Sequence, residues 1–338
     1  MLNSSCLFED PLYVIALHWL TSFISIPIYG IAFLVLFFKC PKYFNEYRNH
    51  VIVHIISGLL QDFHLRVTWK LSVHLPWAAA CSNGFLAEYA VHSFQIFVIL
   101  LIFTGISIIS MFIYRMEVAT KNMENVYFQK IIIVLRNIFY AGVGVVLVFL
   151  VLVYPDLKRQ KEYKVEMEQK RGQFPVYMWC DNCFFMQFDS RIFRFFYSLS
   201  YCCIICAFTL GVLAAIETLR ALNSQNIRLS ARTRAIQINF MFSLIVAIAV
   251  HVILVFVPLV FHFIASMTVL NNEYLAPFLV LLIQDHGSVS TFTMIITNKL
   301  LRRATKKLFL LPENLLRRSE PRMFERMKNS GVHVLTAN

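Results

Sequence analysis

Seven stretches of this chain stay apolar over close to the thickness of a bilayer, at about 12–38, 51–76, 89–114, 131–153, 195–216, 235–264 and 274–297. A hydrocarbon core of about 30 Å takes roughly 20 apolar residues of helix. Backbone groups in lipid must be paired within the segment, which leaves helices as the form for spans of this length. Composition agrees, with 58% hydrophobic and only 15% charged residues, against about 25% charged in soluble domains. The expectation is an all-α membrane protein, a seven-helix transmembrane bundle over residues 12–297. Residues 1–11 are left as an extracellular N-terminus, 298–312 as an interfacial helix and 313–338 as a cytoplasmic tail.

Orientation follows from the basic residues. If residue 1 is outside, the inner loops and the tail after Asn298 hold 20 of the 31 Lys and Arg residues. The 77–88 and 265–273 loops on the other side hold none. The long 154–194 loop carries eight, but six acidic residues dilute them, and long loops follow the positive-inside rule poorly. This predicts the N-terminus outside and the C-terminus inside. The first span, with no Lys or Arg before Lys39, is longer and less basic at its start than a cleaved signal peptide, and is expected to remain as a helix.

The formal charge of +12 therefore belongs to the inner membrane face, where basic residues attract anionic inner-leaflet lipid. No basic groove interleaved with aromatics suggests nucleic acid. Cys81 precedes the third span, and Cys180 and Cys183 lie in the long outer loop. A bridge from Cys81 to either one would pin that loop over the bundle mouth. Cys180-Asp-Asn-Cys183 has the spacing of a redox motif but lacks the surrounding βαβ pattern. Asn3-Ser4-Ser5 is a glycosylation sequon, with Asn3 on the expected outer side.

Ionisable residues inside a membrane are costly, so each is a functional candidate. In the second span His54, Gly58, Asp62, Arg66 and Lys70 recur every four residues, a polar stripe that must face the bundle interior. Asp62 and Arg66 can pair at i,i+4, or Asp62 can serve a cation- or proton-responsive switch with a partner on another helix. The last span offers Asp285 at similar depth, with His286 and Ser290 beside it. Two such carboxylates close together could share a proton or a sodium ion. Gly287 would allow close helix approach.

Helix depth alone makes His92, Gln95, Tyr201, His262 and Gln284 candidates for an outer ligand cavity between the third, fifth, sixth and seventh helices. For His92, Gln95 and His251 structural hydrogen bonding is the competing use. Arg136 can snorkel to the interface, and Pro258 kinks the sixth span by removing a backbone donor. After the last span, Leu300, Leu301, Ala304, Leu308 and Leu311 share one face and Arg302, Arg303, Lys306 and Lys307 the other, which reads as an amphipathic helix on the inner leaflet ended by Pro312.

Several runs together resemble a known family. These are Ile24-Ser25-Ile26-Pro27-Ile28-Tyr29-Gly30, Lys39-Cys40-Pro41-Lys42, His54 with Asp62, and His286-Gly287-Ser288-Val289-Ser290-Thr291, joined by Arg115 at the end of the third span and Thr233 with Gln237 opening the sixth. From about residue 12 to 305 the chain resembles nematode serpentine chemoreceptors, most closely class H of the Str-type superfamily. The resemblance implies a G-protein-coupled receptor in the plasma membrane, in the cilia of sensory neurons, that detects a small molecule or peptide and signals to a heterotrimeric G protein without a cofactor or metal. Arg115, Arg228, Arg232 and Arg234 would face the G protein. The chain departs from the family pattern at Ile113-Tyr114, where members carry an acidic residue and Asn. It also departs at Leu300-Leu301-Arg302, where they end with Pro-Tyr-Arg, and at Arg66 and Lys70.

Two other classes compete. A membrane zinc hydrolase would use His54, Asp62 and His286, but Leu282 and Ser290 stand where a further histidine one turn from His286 would complete three ligands. A transporter or ligand-gated channel would need an inverted repeat or the opposite topology, and the last span has no lysine for a retinal Schiff base.

Overall fold

The computed structural model describes Cys6, residues 10–40, 45–75, 77–120, 127–223, 231–268, Asn272 and 274–310. The bundle helices are α1 (Leu12–Phe38), α2 (Asn45–Phe63), α3 (Ala90–Thr120), α4 (Tyr127–Leu152) and α5 (Arg191–Asn223). They are followed by α6, which runs Ala231–His251, loosens into a wide turn over Val252–Phe256 and resumes over Val257–Met267, and by α7 (Leu275–Thr297). The terminal α8 is Lys299–Leu310. Six of the seven bundle helices are long and apolar enough to cross a membrane. The seventh, α2, falls short in hydropathy because it carries the polar residues of the core. Phe23, Phe38, Trp19 and Ile26 are among the large apolar side chains left exposed along α1, an arrangement suited to lipid and costly in water.

α7 packs against α1, α2 and α6, while α3 packs against α2 and α5, and α5 against α4. Gly58 and Gly287 set the α2–α7 approach. A Cβ on Gly287 would lie 2.9 Å from the Gly58 Cα and 2.5 Å from the Tyr29 hydroxyl, so neither helix tolerates a side chain there without moving.

The second span is shorter than its apolar run suggests. α2 widens over His64–Thr68, where Thr68 Oγ1 sits 2.6 Å from His64 Nδ1 and Trp69 N–H donates to the His64 carbonyl. Lys70 then adopts a left-handed φ of 47°, and the chain leaves as strand β1 (Leu71–His74). Lys70 is therefore a turn residue and not the last rung of a helical stripe.

β1 pairs antiparallel with β2 (Ala79–Ser82), which pairs antiparallel with β3 (Cys183–Phe185). This sheet covers one end of the bundle. The long 154–194 loop contributes β3, a short helix Tyr154–Lys158 and a helix Gln160–Arg171. Gln160 closes the outer edge of β3 with its side-chain amide: Nε2 donates to the Phe185 carbonyl at 3.2 Å, and Oε1 accepts from Phe185 N–H at 2.7 Å. A single amide thus does the work of a neighbouring strand. Gly84 lets the loop after β2 pass against the end of α2, since a Cβ there would lie 2.5 Å from the Thr68 carbonyl oxygen.

Both disulfides are in this cap. Cys81 and Cys183, facing each other across β2 and β3, are bonded, and Cys180 is bonded to Cys6. Of the two partners open to Cys81, the structure selects Cys183. The Cys6–Cys180 bridge had no signal in spacing, because Cys6 lies near the chain start.

At the opposite end Asn298 caps α8, its Oδ1 accepting from the N–H groups of Leu300 and Leu301 at 3.0 and 3.3 Å. Leu301 and Ala304 are buried against the bundle and Arg302, Arg303, Lys306 and Lys307 are exposed, matching the two expected faces. Leu311, Pro312, the 313–338 tail, Asn3 and Arg228 lie outside the described residues.

Candidate ligand cavity and polar core

Beneath the sheet lies a cavity of about 50 Å³. Its roof is Leu71 and Val73 of β1 with Met186 just after β3. Its walls come from α3 (Phe94, Phe97), α5, α6 and α7, and from Leu65 and Trp69 at the end of α2. Apart from Trp69 and Tyr197 the lining is carbon and sulfur, with one imidazole, His262 of α6; His262 Nε2 and Trp69 Nε1 are both buried without a hydrogen-bond partner.

Of the five residues expected from depth to line the cavity, only His262 does. His92 points at α4's end, 3.2 Å from the Tyr154 hydroxyl, and Gln95 donates to the Leu150 carbonyl at 3.3 Å. Tyr201 spends its hydroxyl on the Leu259 carbonyl at 2.8 Å, bracing α5 against α6. Gln284 turns to α1, with Nε2 3.0 Å from His18 Nδ1. Depth fixes height in the bundle and says nothing of rotation about the helix axis. The apolar lining was missed because Phe94, Phe97 and Leu279 look like ordinary core, and because 71–74 was taken as helix.

Beside the cavity, toward α1, lies the polar core. Arg66 does not pair with Asp62. It crosses to α7 and forms an ion pair with Asp285. On α1 it donates to Thr21 Oγ1 at 3.0 Å, Ser22 Oγ at 2.5 Å, Ser25 Oγ at 3.4 Å and the His18 carbonyl at 3.5 Å. These hydroxyls are spaced along one face of α1, so the guanidinium is solvated by protein where water is scarce. Asp62 is released from Arg66 and accepts from the Tyr29 hydroxyl at 2.6 Å. The carboxylates of Asp62 and Asp285 therefore have separate partners and do not share a single site.

Toward α3 and α6 the core continues through histidines. His54 lies between Ser107 Oγ (3.0 Å) and Ser290 Oγ (3.3 Å). Its ring neighbours His251 at 5.3 Å, and His251 neighbours His286 at 5.2 Å. His251 and His286 each place Nδ1 on a carbonyl of their own helix, Ala247 and Ile283, which makes Nδ1 the protonated nitrogen. Among the described residues no group of three or more His, Cys, Asp or Glu is arranged to hold a metal. His54 and Asp62, two of the residues a zinc site would need, are occupied by Ser107, Ser290 and Tyr29.

At the α8 end Arg115 is buried, its guanidinium 3.6 Å from the Tyr47 ring centroid and 4.2 Å from that of Phe240, donating to Gln237 Oε1 at 2.7 Å. Among the described residues it has no ion-pair partner. Glu117 pairs with Arg136 at 3.4 Å instead. Arg234 donates to Asn223, and the side chain of Arg232 lies outside the described residues.

His74 and Lys164 are among the cap groups perturbed by burial. His74 of β1, 3.4 Å from the Tyr177 hydroxyl, is pushed down to about 4. The ammonium of Lys164, which donates to the Cys180 carbonyl at 2.8 Å, is pushed down to about 8 by desolvation against a smaller pull from Asp181.

A family model described as serpentine type 7TM GPCR chemoreceptor Srh matches residues 9–311. The chain belongs to the Srh chemoreceptor family. The match runs from before α1 through α8, so cavity, polar core and cap all lie within the Srh region. No curated protein and no solved structure matches the chain. It is a multi-pass membrane protein of a chemoreceptor family, with the seven-helix bundle that family implies.

Proposed function

We propose that this Srh chemoreceptor is a G-protein-coupled receptor of the plasma membrane, in sensory cilia, with its capped end outside and α8 inside. It detects a small chemical in the cavity under the sheet and passes the signal to a heterotrimeric G protein at the Arg115 end. The reading is of a receptor, not an enzyme. The observation that carries it is the adjacency of cavity and polar core. Leu65 and Ile283 line the cavity, and they stand one residue before Arg66 and two before Asp285. An occupant that presses α2 from α7 acts directly on the ion pair, and it shifts the equilibrium by as much as it binds one arrangement better than the other.

Arg115, held by aromatic rings and Gln237 with no acidic partner among the described residues, supports the inner end as the coupling surface. The exposed basic face of α8 supports contact with anionic inner-leaflet lipid. The charge bias of the loops supports the orientation. The test is ligand-evoked G-protein signalling in cells expressing the chain, with and without Arg115→Ala, at matched surface delivery. Loss of the response in the variant is expected. An undiminished response would remove Arg115 from coupling.

A further inference from the structure

The proposal concerns what the cavity takes. The cavity lining offers two buried polar atoms without a partner, His262 Nε2 and the indole Nε1 of Trp69, among Leu65, Phe94, Phe97, Val280 and Ile283. The indole can only donate, whereas the imidazole can donate or accept. A buried polar group left unpaired costs about 1–3 kcal/mol, so an unpaired nitrogen on a cavity-lining side chain marks a place for a partner. Water is a poor one. An ordered water wants two to four polar partners, and walls this rich in carbon favour an apolar occupant. A charged ligand is worse, since Arg66 and Asp285, beside the lining residues Leu65 and Ile283, neutralise each other. Size narrows the class further. The cavity, about 50 Å³, is well under the roughly 150 Å³ that accepts benzene in an engineered core. Ligands for it are short chains, seated with small shifts of the apolar side chains around them.

We infer that the cavity beneath the sheet binds a compact, uncharged, mainly apolar molecule with a single hydrogen-bonding group, of the short alcohol, ketone or ester type, held by His262 Nε2. A peptide does not fit. The nitrogen accepts from a hydroxyl in one tautomer and donates to a carbonyl in the other, so one residue serves both kinds of ligand. Trp69, in the wall of the cavity, is a built-in reporter.

The inference rests on the chemoreceptor reading for the consequence of binding, but binding itself can be read without any G protein. The experiment uses full-length receptor in lipid nanodiscs, with Trp19, Trp77 and Trp179 replaced by Phe so that Trp69 alone fluoresces. The probes are 3-bromo-1-propanol, 1-bromopropane and 3-bromopropionate, whose bromine quenches indole on contact. Saturable quenching by the alcohol is expected, weaker saturable quenching by the bromoalkane, and none by the carboxylate. His262→Leu should weaken the alcohol three- to tenfold, the worth of one hydrogen bond, and leave the bromoalkane unchanged. Val280→Phe, which fills the cavity, should abolish both, and each variant is checked by its thermal unfolding before use.

Quenching that never saturates and ignores Val280→Phe would mean partition into lipid only and would overturn the site. Carboxylate binding as tight as alcohol binding, or an alcohol affinity indifferent to His262→Leu, would overturn the ligand class. If the alcohol binds as expected and no G-protein response follows, the signalling reading fails and the site stands.

Discussion

Arg66 and Asp285, 219 positions apart in the chain, form the ion pair that joins α2 to α7, and three hydroxyls of α1 accept from the same guanidinium. A buried pair adds little net stability because both charges were desolvated to make it, but removing one partner strands the other at about 3–5 kcal/mol. Arg66→Met and Asp285→Leu should each lower the thermal midpoint of purified receptor by that order and reduce surface delivery. The double variant should recover most of the loss. A double variant as unstable as the sum of the singles would show that the two charges are not coupled.

Gly58 and Gly287 predict a contrast with a third glycine. A Cβ at Gly287 meets backbone and the Tyr29 hydroxyl, whereas one at Gly105 meets nothing within 4 Å. Overpacking of a tight contact costs about 1–3 kcal/mol. Gly287→Ala should therefore destabilise the receptor by that amount and loosen the Tyr29–Asp62 hydrogen bond. Gly105→Ala should be neutral or slightly stabilising, because alanine is the better helix former. Thermal unfolding of the two variants beside wild type decides it.

The bundle was legible in the sequence because lipid imposes a length and an apolarity on every span, and the boundaries of α1 and α7 agree with their apolar runs. α2 broke the rule at its end. Val67 to Leu75 is apolar enough to continue a helix, and nothing local says that Lys70 turns left-handed; the pairing of β1 with β2 and β3 overrides the apolar pattern. Asp62, Arg66 and Asp285 stood out as intramembrane charges, yet their pairing did not, since i,i+4 spacing offers Arg66 a partner that only the three-helix geometry of α1, α2 and α7 outcompetes. The cavity was the least legible part. His262 was picked for depth and the other four candidates rotated away, while the lining is phenylalanine, leucine and valine that any helix core contains.

The cap predicts a disulfide map. Peptide mapping of unreduced receptor should recover Cys81 linked to Cys183 and Cys6 linked to Cys180. Loss of a native bridge costs about 2–5 kcal/mol in small extracellular domains. The Cys81 bridge joins paired strands directly over the cavity, so Cys81→Ser should raise protease sensitivity of the whole 154–194 loop and impair delivery. Cys6→Ser, which frees only the chain start from the loop, should leave the strands protected. Equal sensitivity of the two variants would contradict the sheet.

Acid should loosen the same cap. His74 is held near 4 by burial, while an unfolded cap would give it the ordinary value of about 6.5. Between those values the opened cap binds a proton that the closed cap refuses, so cap stability is whole above about pH 6.5 and falls steadily as pH drops toward 4. Lys164 acts in another window. Its pKa of about 8 lies below the ordinary 10.4, so its contribution grows only as pH rises past 8 and is constant through the acid range. Amide exchange protection of β1, β2 and β3, corrected for intrinsic rates, should therefore decline from pH 6.5 to 5 in wild type. In His74→Gln the decline should flatten in that interval, where carboxylates have barely begun to titrate. A wild-type cap whose protection stays level over the same interval would show that His74 takes its proton without opening.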